Sequence, residues 1–524
     1  MNHQPIRFYF RGAITEVTGV HTTLSVLDWL REHARCTGTK EGCNEGDCGA
    51  CTVVIGELPE HTDHPDDHVR GLSLRSVNAC LQFLATLHGK ALYTVEDLQA
   101  MAGGALHPVQ LAMVECHGSQ CGFCTPGFVM SLYTQYEQHR GACSLPSRQQ
   151  IADGLSGNLC RCTGYQPIVD AGEQMFNLPA VQLDTNPVIA ALTSMHSPET
   201  FRYSAVNRHR ATDTGEPRTD QFYAPTTLAD LAALRLAHPE ARLLAGATDI
   251  GLWVTKQFRD LGDIVYLGNV AELKRIETTD GQLRIGAGVS LETAWRTLAV
   301  HWPDLAEVGL RFAGPPVRHA GTLGGNVANG SPIGDAAPVL MALDAQIELR
   351  RGDAVRHLPL CEFYVDYMRN VMRPGEFVQA LVVPLPPTSQ TVRAYKVSKR
   401  YDCDISALCA AFAIDLDGDT VRSVRLAYGG MAAIVKRAAA AEAALLGRVW
   451  NAEAVQAAQQ ALAQDFQPLS DLRASAAYRL QVAQNLLQRF WLETRTLDPL
   501  PAQATRIWSI RPVAGGRAAT KAPT

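Results

Sequence analysis

Over the first 90 residues short apolar runs alternate with polar turns, a pattern that predicts strands over 6–10 and 16–20. Leu24, Leu27 and Leu30 recur at helical spacing and predict a helix over 22–31. A Gly- and Cys-rich loop follows, then the apolar run 52–55. From 91 to 178 the apolar period is helical. Thr94 with Asp97 before Leu98 is a capping-box pattern, and Ser147 with Gln150 before Ile151 and Leu155 is another. Thr125 and Pro126 supply a cap and a first-turn proline ahead of Phe128, Leu132 and Tyr136. Residues 179–220 show no sustained period and are rich in Pro, Thr, Ser and Asn, which predicts a linker. Strands alternate with helices over 221–390. Over 391–500 strands give way to Ala-rich helices, with Leu480, Ala483, Leu487 and Phe490 as the clearest stripe. The tail 501–524 has four basic and no acidic residues among Pro, Gly and Ala, and is expected to be mobile.

A chain of 524 residues suits about three or four domains at roughly 150 residues each. With 46% apolar and 19% charged residues the composition is that of a globular protein. The formal net charge of -5 offers no basic excess for nucleic acid. No run of 18 apolar residues predicts a membrane span, and Met1 to Arg11 carry charge where a signal peptide needs an apolar core. The expectation is a cytoplasmic protein.

The cysteines change the picture most. Of 14, 11 fall within the first 162 residues, and only Cys361, Cys403 and Cys409 come later. Such clustering in a large chain points to metal or redox chemistry rather than to a disulfide framework. Cys43, Cys48 and Cys51, with Cys80 further on, have the C-x4-C-x2-C…C spacing of plant-type [2Fe–2S] ferredoxins. Two irons need four thiolates, and three of them come from one loop. Gly42, Gly46 and Gly49 let that loop curl and aim N–H groups at sulfur. Structural zinc more often uses paired C-x2-C units, which this spacing lacks.

Cys121-Gly122-Phe123-Cys124 with Cys160-Arg161-Cys162 is a second set of four. Taken alone it fits an all-cysteine zinc site or a second [2Fe–2S] cluster. Cys124 precedes the expected cap at Thr125, where a helix N-terminus favours a negative centre. Cys36, Cys116 and Cys143 remain over and read as small buried hydrophobes. His117 has no second histidine at a spacing that would complete a Rieske-type pair.

Two Gly-rich stretches suggest a nucleotide. Leu244-Ala245-Gly246-Ala247-Thr248-Asp249-Ile250-Gly251 follows an apolar strand and opens a helix. It is not G-x-G-x-x-G, so it is either a phosphate cradle of another kind or a plain strand–turn–helix. Residues 321–335 place five glycines, two asparagines and Ser-Pro together. That composition costs backbone entropy and is explained by close approach of backbone to a large ligand. Asp335 would suit the hydroxyls of a ribityl or ribose chain.

The blocks GCNEGDCGAC, CGFCTPG and GNLCRCTGY resemble the iron–sulfur half of the molybdenum hydroxylases, the xanthine dehydrogenase and aldehyde oxidase family. All eight cysteines match the family's ligand pattern. The two Gly-rich stretches resemble its flavin domain. The resemblance covers about residues 5–495 and implies a multidomain α+β fold. Its parts would be a plant-type ferredoxin-like β-grasp domain (1–90), a four-helix [2Fe–2S] domain (91–178), a linker (179–220), a vanillyl-alcohol-oxidase-like FAD-binding α+β domain (221–390), and a C-terminal α+β flavoprotein domain (391–500) before the tail. It further implies that the pyrophosphate of FAD lies against 244–251 and against Thr322, Leu323, Gly324, Gly325 and Asn326. Phe312 and Asp335 match FAD contacts, Lys396 a basic residue near the flavin, and Val378 an aliphatic one. Residues 399–406 and 470–479 match segments of the last domain, while Asp366 and Asn370 differ from the vertebrate pattern.

The same resemblance implies a small subunit of xanthine dehydrogenase type. It would pass electrons from a molybdopterin-binding large subunit through two [2Fe–2S] clusters to FAD and then NAD+. Cys121, Cys124, Cys160 and Cys162 would face the molybdenum side, and Cys43, Cys48, Cys51 and Cys80 the flavin. The implied reaction is oxidation of hypoxanthine and xanthine to urate. A relative acting on aldehydes or N-heterocycles would use the same path. A heterotetramer of two small and two large subunits is expected. No catalytic residue in this chain is implied.

Overall fold

A computed structural model describes residues 4–59, 67–141, 144–211, 215–386 and 389–505. Cys143 and the tail from 506 lie outside the described residues. The chain opens with a hairpin, Ile6–Phe10 against Ala13–Val17. Arg11 and Gly12 both take positive φ, so the turn is two residues long and the return strand starts earlier than the expected 16–20. These strands join a six-stranded mixed sheet in the order Ala13–Val17, Ile6–Phe10, Ala91–Tyr93, Thr52–Glu57, Leu72–Asn78, His68–Val69. Ile6–Phe10 and Ala91–Tyr93 run parallel. The sheet therefore takes its third strand from just beyond the expected boundary at 90. The helix expected over 22–31 is shorter and ends in a wider turn: Val26–Asp28, capped by Ser25, runs on into a π-turn over Trp29–His33.

Among the described residues five helices fill the second unit, one more than expected: Val95–Met101, Pro108–Glu115, Thr125–His139, Arg148–Gly154 and Gln166–Gln174. Both expected capping boxes form, at Thr94 with Asp97 and at Ser147 with Gln150. The cap of the long helix is Cys124 rather than Thr125, which places a candidate ligand at the helix entrance.

The stretch 179–220 is not a linker. It holds the helix Asn186–Met195, with Val188, Leu192 and Met195 buried, and most of a long hairpin, Phe201–Ala211 against Pro217–Ala224. Phe201, Tyr203 and Ala205 face inward while Arg202 and Val206 face out, so the period of two is present beneath a polar composition. The hairpin pairs with Ile264–Tyr266 and, beyond it, Arg242–Leu244. This four-stranded sheet shares one apolar core with the first unit, from Ile6, Phe8 and Trp29 to Phe222 and Ile264. The first unit and the nucleotide-loop sheet are thus fused through a common core rather than tethered.

The rest of the third segment is a five-stranded antiparallel sheet, Ile276–Thr279, Gln282–Gly286, Phe377–Pro384, Gln346–Arg351 and Ala354–Pro359, covered by helices. In the last segment Gln390–Val397, Leu408–Asp417 and Thr420–Gly429 form an antiparallel sheet backed by Ala439–Leu445, Ala452–Asp465 and Ala476–Thr494. Ala483, Leu487 and Phe490 of the expected stripe are buried, and Leu480 packs at the margin of the same cluster.

Candidate functional site

The thiols of the first set stand in two pairs, Cys43 with Cys48 and Cys51 with Cys80. A hydrogen bond from Cys48 lowers the Cys43 thiol to about 5, and the same bond raises Cys48. Cys80 likewise lowers Cys51 and is itself raised. Cys51 and Cys80 are buried; Cys43 and Cys48 are half-buried. The loop holding three of them turns through positive φ at Asn44, Gly46 and Gly49, and the Cys48 N–H donates to Cys43 Sγ at 3.3 Å.

The second set pairs in the same way, Cys121 with Cys162 and Cys124 with Cys160. Burial and then Cys160 push the Cys124 thiol up to about 12. Burial works against the Cys160 thiolate, but hydrogen bonds from Thr163 prevail and lower it. Cys121 and Cys162 are exposed, Cys160 is buried, and Phe123 and Tyr165 lie exposed beside them. Among the described residues no three or more His, Cys, Asp or Glu converge on a single metal point. Two thiols per iron is the arrangement that a binuclear cluster needs.

A cavity of about 920 Å³ lies between the third and fourth segments, near the upper end of the usual range for ligand pockets. Ala245, Gly246, Ala247, Thr248, Asp249 and Ile250 line it, as do Phe312, Thr322, Gly324, Gly325, Asn326, Asp335, Val378 and Lys396. Leu244, Gly251 and Leu323 do not; they are buried behind the wall. Residues 244–251 form the expected strand–turn–helix, Arg242–Leu244 into Ile250–Thr255. Gly246 sits so close to the neighbouring chain that a Cβ there would stand 1.8 Å from the Ala320 carbonyl oxygen. The second stretch is only partly a loop: Thr322 caps the helix Leu323–Asn329 through the Gly325 N–H at 3.1 Å.

The polar wall is built as a network. Lys396 Nζ donates to Asp335 Oδ2 at 2.7 Å and to Ser406 Oγ at 2.8 Å, and Ser406 donates to Asp335 Oδ1 at 2.6 Å. All three are buried. Elsewhere Asn326 Oδ1 and Asp249 Oδ2 are buried and meet no partner among the described residues, and burial raises the Asp249 carboxyl. Orphaned buried polar atoms on the wall of a large cavity with a glycine cradle fit a polar, extended cofactor such as FAD.

Several lining residues were not foreseen. Glu45, Gly46 and Asp47, between the ligand candidates Cys43 and Cys48, form part of the cavity wall, and so does Gly157 near Cys160. The segment 399–406 adds to the wall: Arg400 lies 3.6 Å from Asp47, and Arg400, Cys403 and Ser406 line the cavity. The two cysteine loops also meet directly. Leu159 N–H donates to the Cys48 carbonyl at 3.0 Å, and buried Asn158 donates to the Gly49 carbonyl at 3.0 Å. The only sequence signal for this contact was Asn158 inside the GNLCRC block.

Three family models match in chain order. They are a [2Fe-2S] binding domain over 94–173, the FAD binding domain in molybdopterin dehydrogenase over 217–386, and the CO dehydrogenase flavoprotein C-terminal domain over 393–494. The chain belongs to the molybdenum hydroxylase family. It is 32% identical to a xanthine dehydrogenase of Emericella nidulans over 94% of this chain and 39% of that protein. It is 30% identical to aldehyde oxidase 2 of Macaca fascicularis over 85% of this chain and 36% of that one. The chain thus spans under two fifths of the length of these curated relatives. A carbon monoxide dehydrogenase structure from Hydrogenophaga pseudoflava is 28% identical, with a TM-score of 0.49, over 51% of this chain and 94% of that one. As a molybdenum hydroxylase chain it carries an iron–sulfur domain and an FAD domain, which accounts for the clustered thiols and the glycine-cradled cavity. Among the described residues no helix is long and apolar enough to cross a membrane.

Proposed function

We infer that the chain is the electron-transfer part of a molybdenum hydroxylase of xanthine dehydrogenase type. Cys43, Cys48, Cys51 and Cys80 hold one [2Fe–2S] cluster; Cys121, Cys124, Cys160 and Cys162 hold a second. FAD lies against 244–250 and 322–326, with Asp335 and Lys396 beside it. A separate large subunit binds molybdopterin and oxidises hypoxanthine and xanthine, in a complex of two small and two large chains. When bound, the clusters carry electrons singly, and FAD takes up two and passes a hydride to NAD+.

The chain's own work is placement. The loop Cys43–Cys48 supplies thiolates on one side and cavity wall on the other, through Glu45, Gly46 and Asp47. Its Cys48 carbonyl is bonded by Leu159, next to Cys160. That continuity of Cys160 loop, Cys48 loop and flavin cavity is the observation that carries the reading. The buried Asp335–Lys396–Ser406 network fixes a charge pair in the cavity wall. The exposed Cys121 and Cys162 leave the second set at the surface, as docking against a large subunit requires. Similarity to an aldehyde oxidase supports the second reading, a relative acting on aldehydes or N-heterocycles with the same electron path.

The test uses the full chain loaded with its cofactors, with about four irons per chain and visible iron–sulfur and flavin bands. It is expected to oxidise NADH with an artificial dye and to show no purine hydroxylation. Purine hydroxylation by the homogeneous chain would overturn the division of labour. Failure of NADH to bleach a correctly loaded flavin would remove NAD+ from the reading.

A further inference from the structure

The helix Ile250–Thr255 begins at the glycine cradle of the cavity and ends against the first cysteine loop. Thr255 Oγ1 donates to the Asn44 carbonyl at 2.9 Å, and Lys256 Nζ donates to the carbonyl of Cys43. The two bonds clamp consecutive peptide groups of the loop that the cradle's own helix faces. Lys256 also differs from the other cation beside this loop. Arg400 is shared between the carboxylates of Asp47 and Asp404. Lys256 has no ion-pair partner among the described residues; its ammonium rests on a neutral carbonyl that belongs to a candidate iron ligand.

We propose that Lys256 tunes and positions the flavin-side cluster, favouring its reduced form. The proposal rests on the reading of Cys43, Cys48, Cys51 and Cys80 as a [2Fe–2S] ligand set. Reduction adds one negative charge to such a cluster, and a cation hydrogen-bonded to a ligand's carbonyl, here an exposed lysine screened in part by solvent, lowers the energy of the more negative state. Hydrogen bonding and charge around the ligating sulfurs are the protein's means of setting a cluster's potential. Because Lys256 follows directly on the helix that starts at the flavin cradle, its ammonium tunes the cluster from the acceptor side of the path. The lysine is a positioning residue: it touches the ligand's backbone, not the reacting atoms.

The experiment is a redox titration of the loaded full chain followed by electron paramagnetic resonance. Cys43→Ser first identifies the signal of the flavin-side cluster, since the two ligand sets lie in separate units. Lys256→Gln is expected to move the midpoint of that signal to a more negative potential, within about a tenfold change in the oxidised-to-reduced ratio, or about 59 mV for one electron. Lys256→Arg keeps the charge and is expected to restore the midpoint. Thr255→Val removes a bond but no charge, and is expected to leave it nearly unchanged. The second signal stays where it was in every variant. An unmoved midpoint in Lys256→Gln with full flavin content would overturn the proposal, and so would equal shifts of both signals. If Cys43→Ser abolishes neither signal in a folded protein, the ligand set is wrong and the proposal falls with it.

Discussion

Leu159 donates its backbone N–H to the carbonyl of Cys48 at 3.0 Å, a backbone hydrogen bond that joins the two cysteine loops. The neighbouring Asn158, 3% exposed, secures the contact from three sides. It donates to the Gly49 carbonyl at 3.0 Å and to Thr52 Oγ1 at 3.1 Å, and accepts from Ser131 at 2.6 Å. At the cysteine loops the junction between the two units is therefore a buried polar network, set beside the apolar core that the units share through Val54, Leu74, Phe128 and Leu132.

Asn158→Ala removes all three bonds and strands buried partners on both units. Leaving such groups unsatisfied costs about 1–3 kcal/mol. The variant is expected to unfold at a lower temperature, with the loss largest in the helical unit, and to show weaker magnetic interaction between the two proposed clusters. Calorimetry and electron paramagnetic resonance read these two effects separately. An unchanged unfolding profile would mean that the network adds nothing to the junction.

The grouping of the candidate thiols was legible in the sequence because three of four in the first set lie within nine residues, and two pairs make up the second. Local spacing encodes local chemistry. The meeting of Cys48 with Leu159 spans more than a hundred residues and left only the unexplained Asn158 as a trace. The hairpin Phe201–Ala211 with Pro217–Ala224 was misread as linker because the stretch is polar overall, while Phe201, Tyr203 and Ala205 carried the strand period. The cavity residues at 245–250, 322 and 324–326 were legible since glycines mark close backbone approach. Glu45–Asp47 and Gly157 were not, because they reach the cavity only through the packing of one unit on another.

His107 predicts a pH dependence. Its ring is buried edge-on between Tyr133 and Tyr136, at 5.5 and 5.2 Å, and its Nδ1 accepts from the Val109 N–H at 3.3 Å. Burial lowers its pKa from 6.5 to about 4. Between these values the unfolded chain binds the proton and the folded chain does not, so stability rises with pH across this window. The contribution is fully present above about 6.5 and is lost as pH falls towards 4, at most about 3 kcal/mol. Denaturant midpoints between pH 7 and 4 should fall more steeply for the parent than for His107→Asn, which keeps a capping acceptor without titrating there. Equal slopes would remove His107 from the acid sensitivity.

Gly246 and Ala247 make opposite predictions at adjacent positions. At Gly246 a Cβ would stand 1.8 Å from the Ala320 carbonyl oxygen and 2.4 Å from its carbon, with no flexible side chain to yield. The Gly246 carbonyl in turn accepts from Gln82 Nε2 at 3.0 Å, so the loop is held from the iron–sulfur side as well. Gly246→Ala must therefore push the cradle off the segment 320–321 and deform the cavity wall. Ala247, by contrast, already takes φ +61, a left-handed conformation that costs a residue with a Cβ about 1 kcal/mol. Ala247→Gly relieves that strain and leaves the cradle in place. The expected outcome is a several-fold fall in bound flavin per chain for Gly246→Ala and retention for Ala247→Gly. The iron–sulfur absorbance should persist in both, because the eight candidate thiols lie in other units. Flavin-to-protein absorbance ratios after gel filtration decide it. A Gly246→Ala chain that keeps its full flavin would show that the close approach at 246 is not what shapes the cradle.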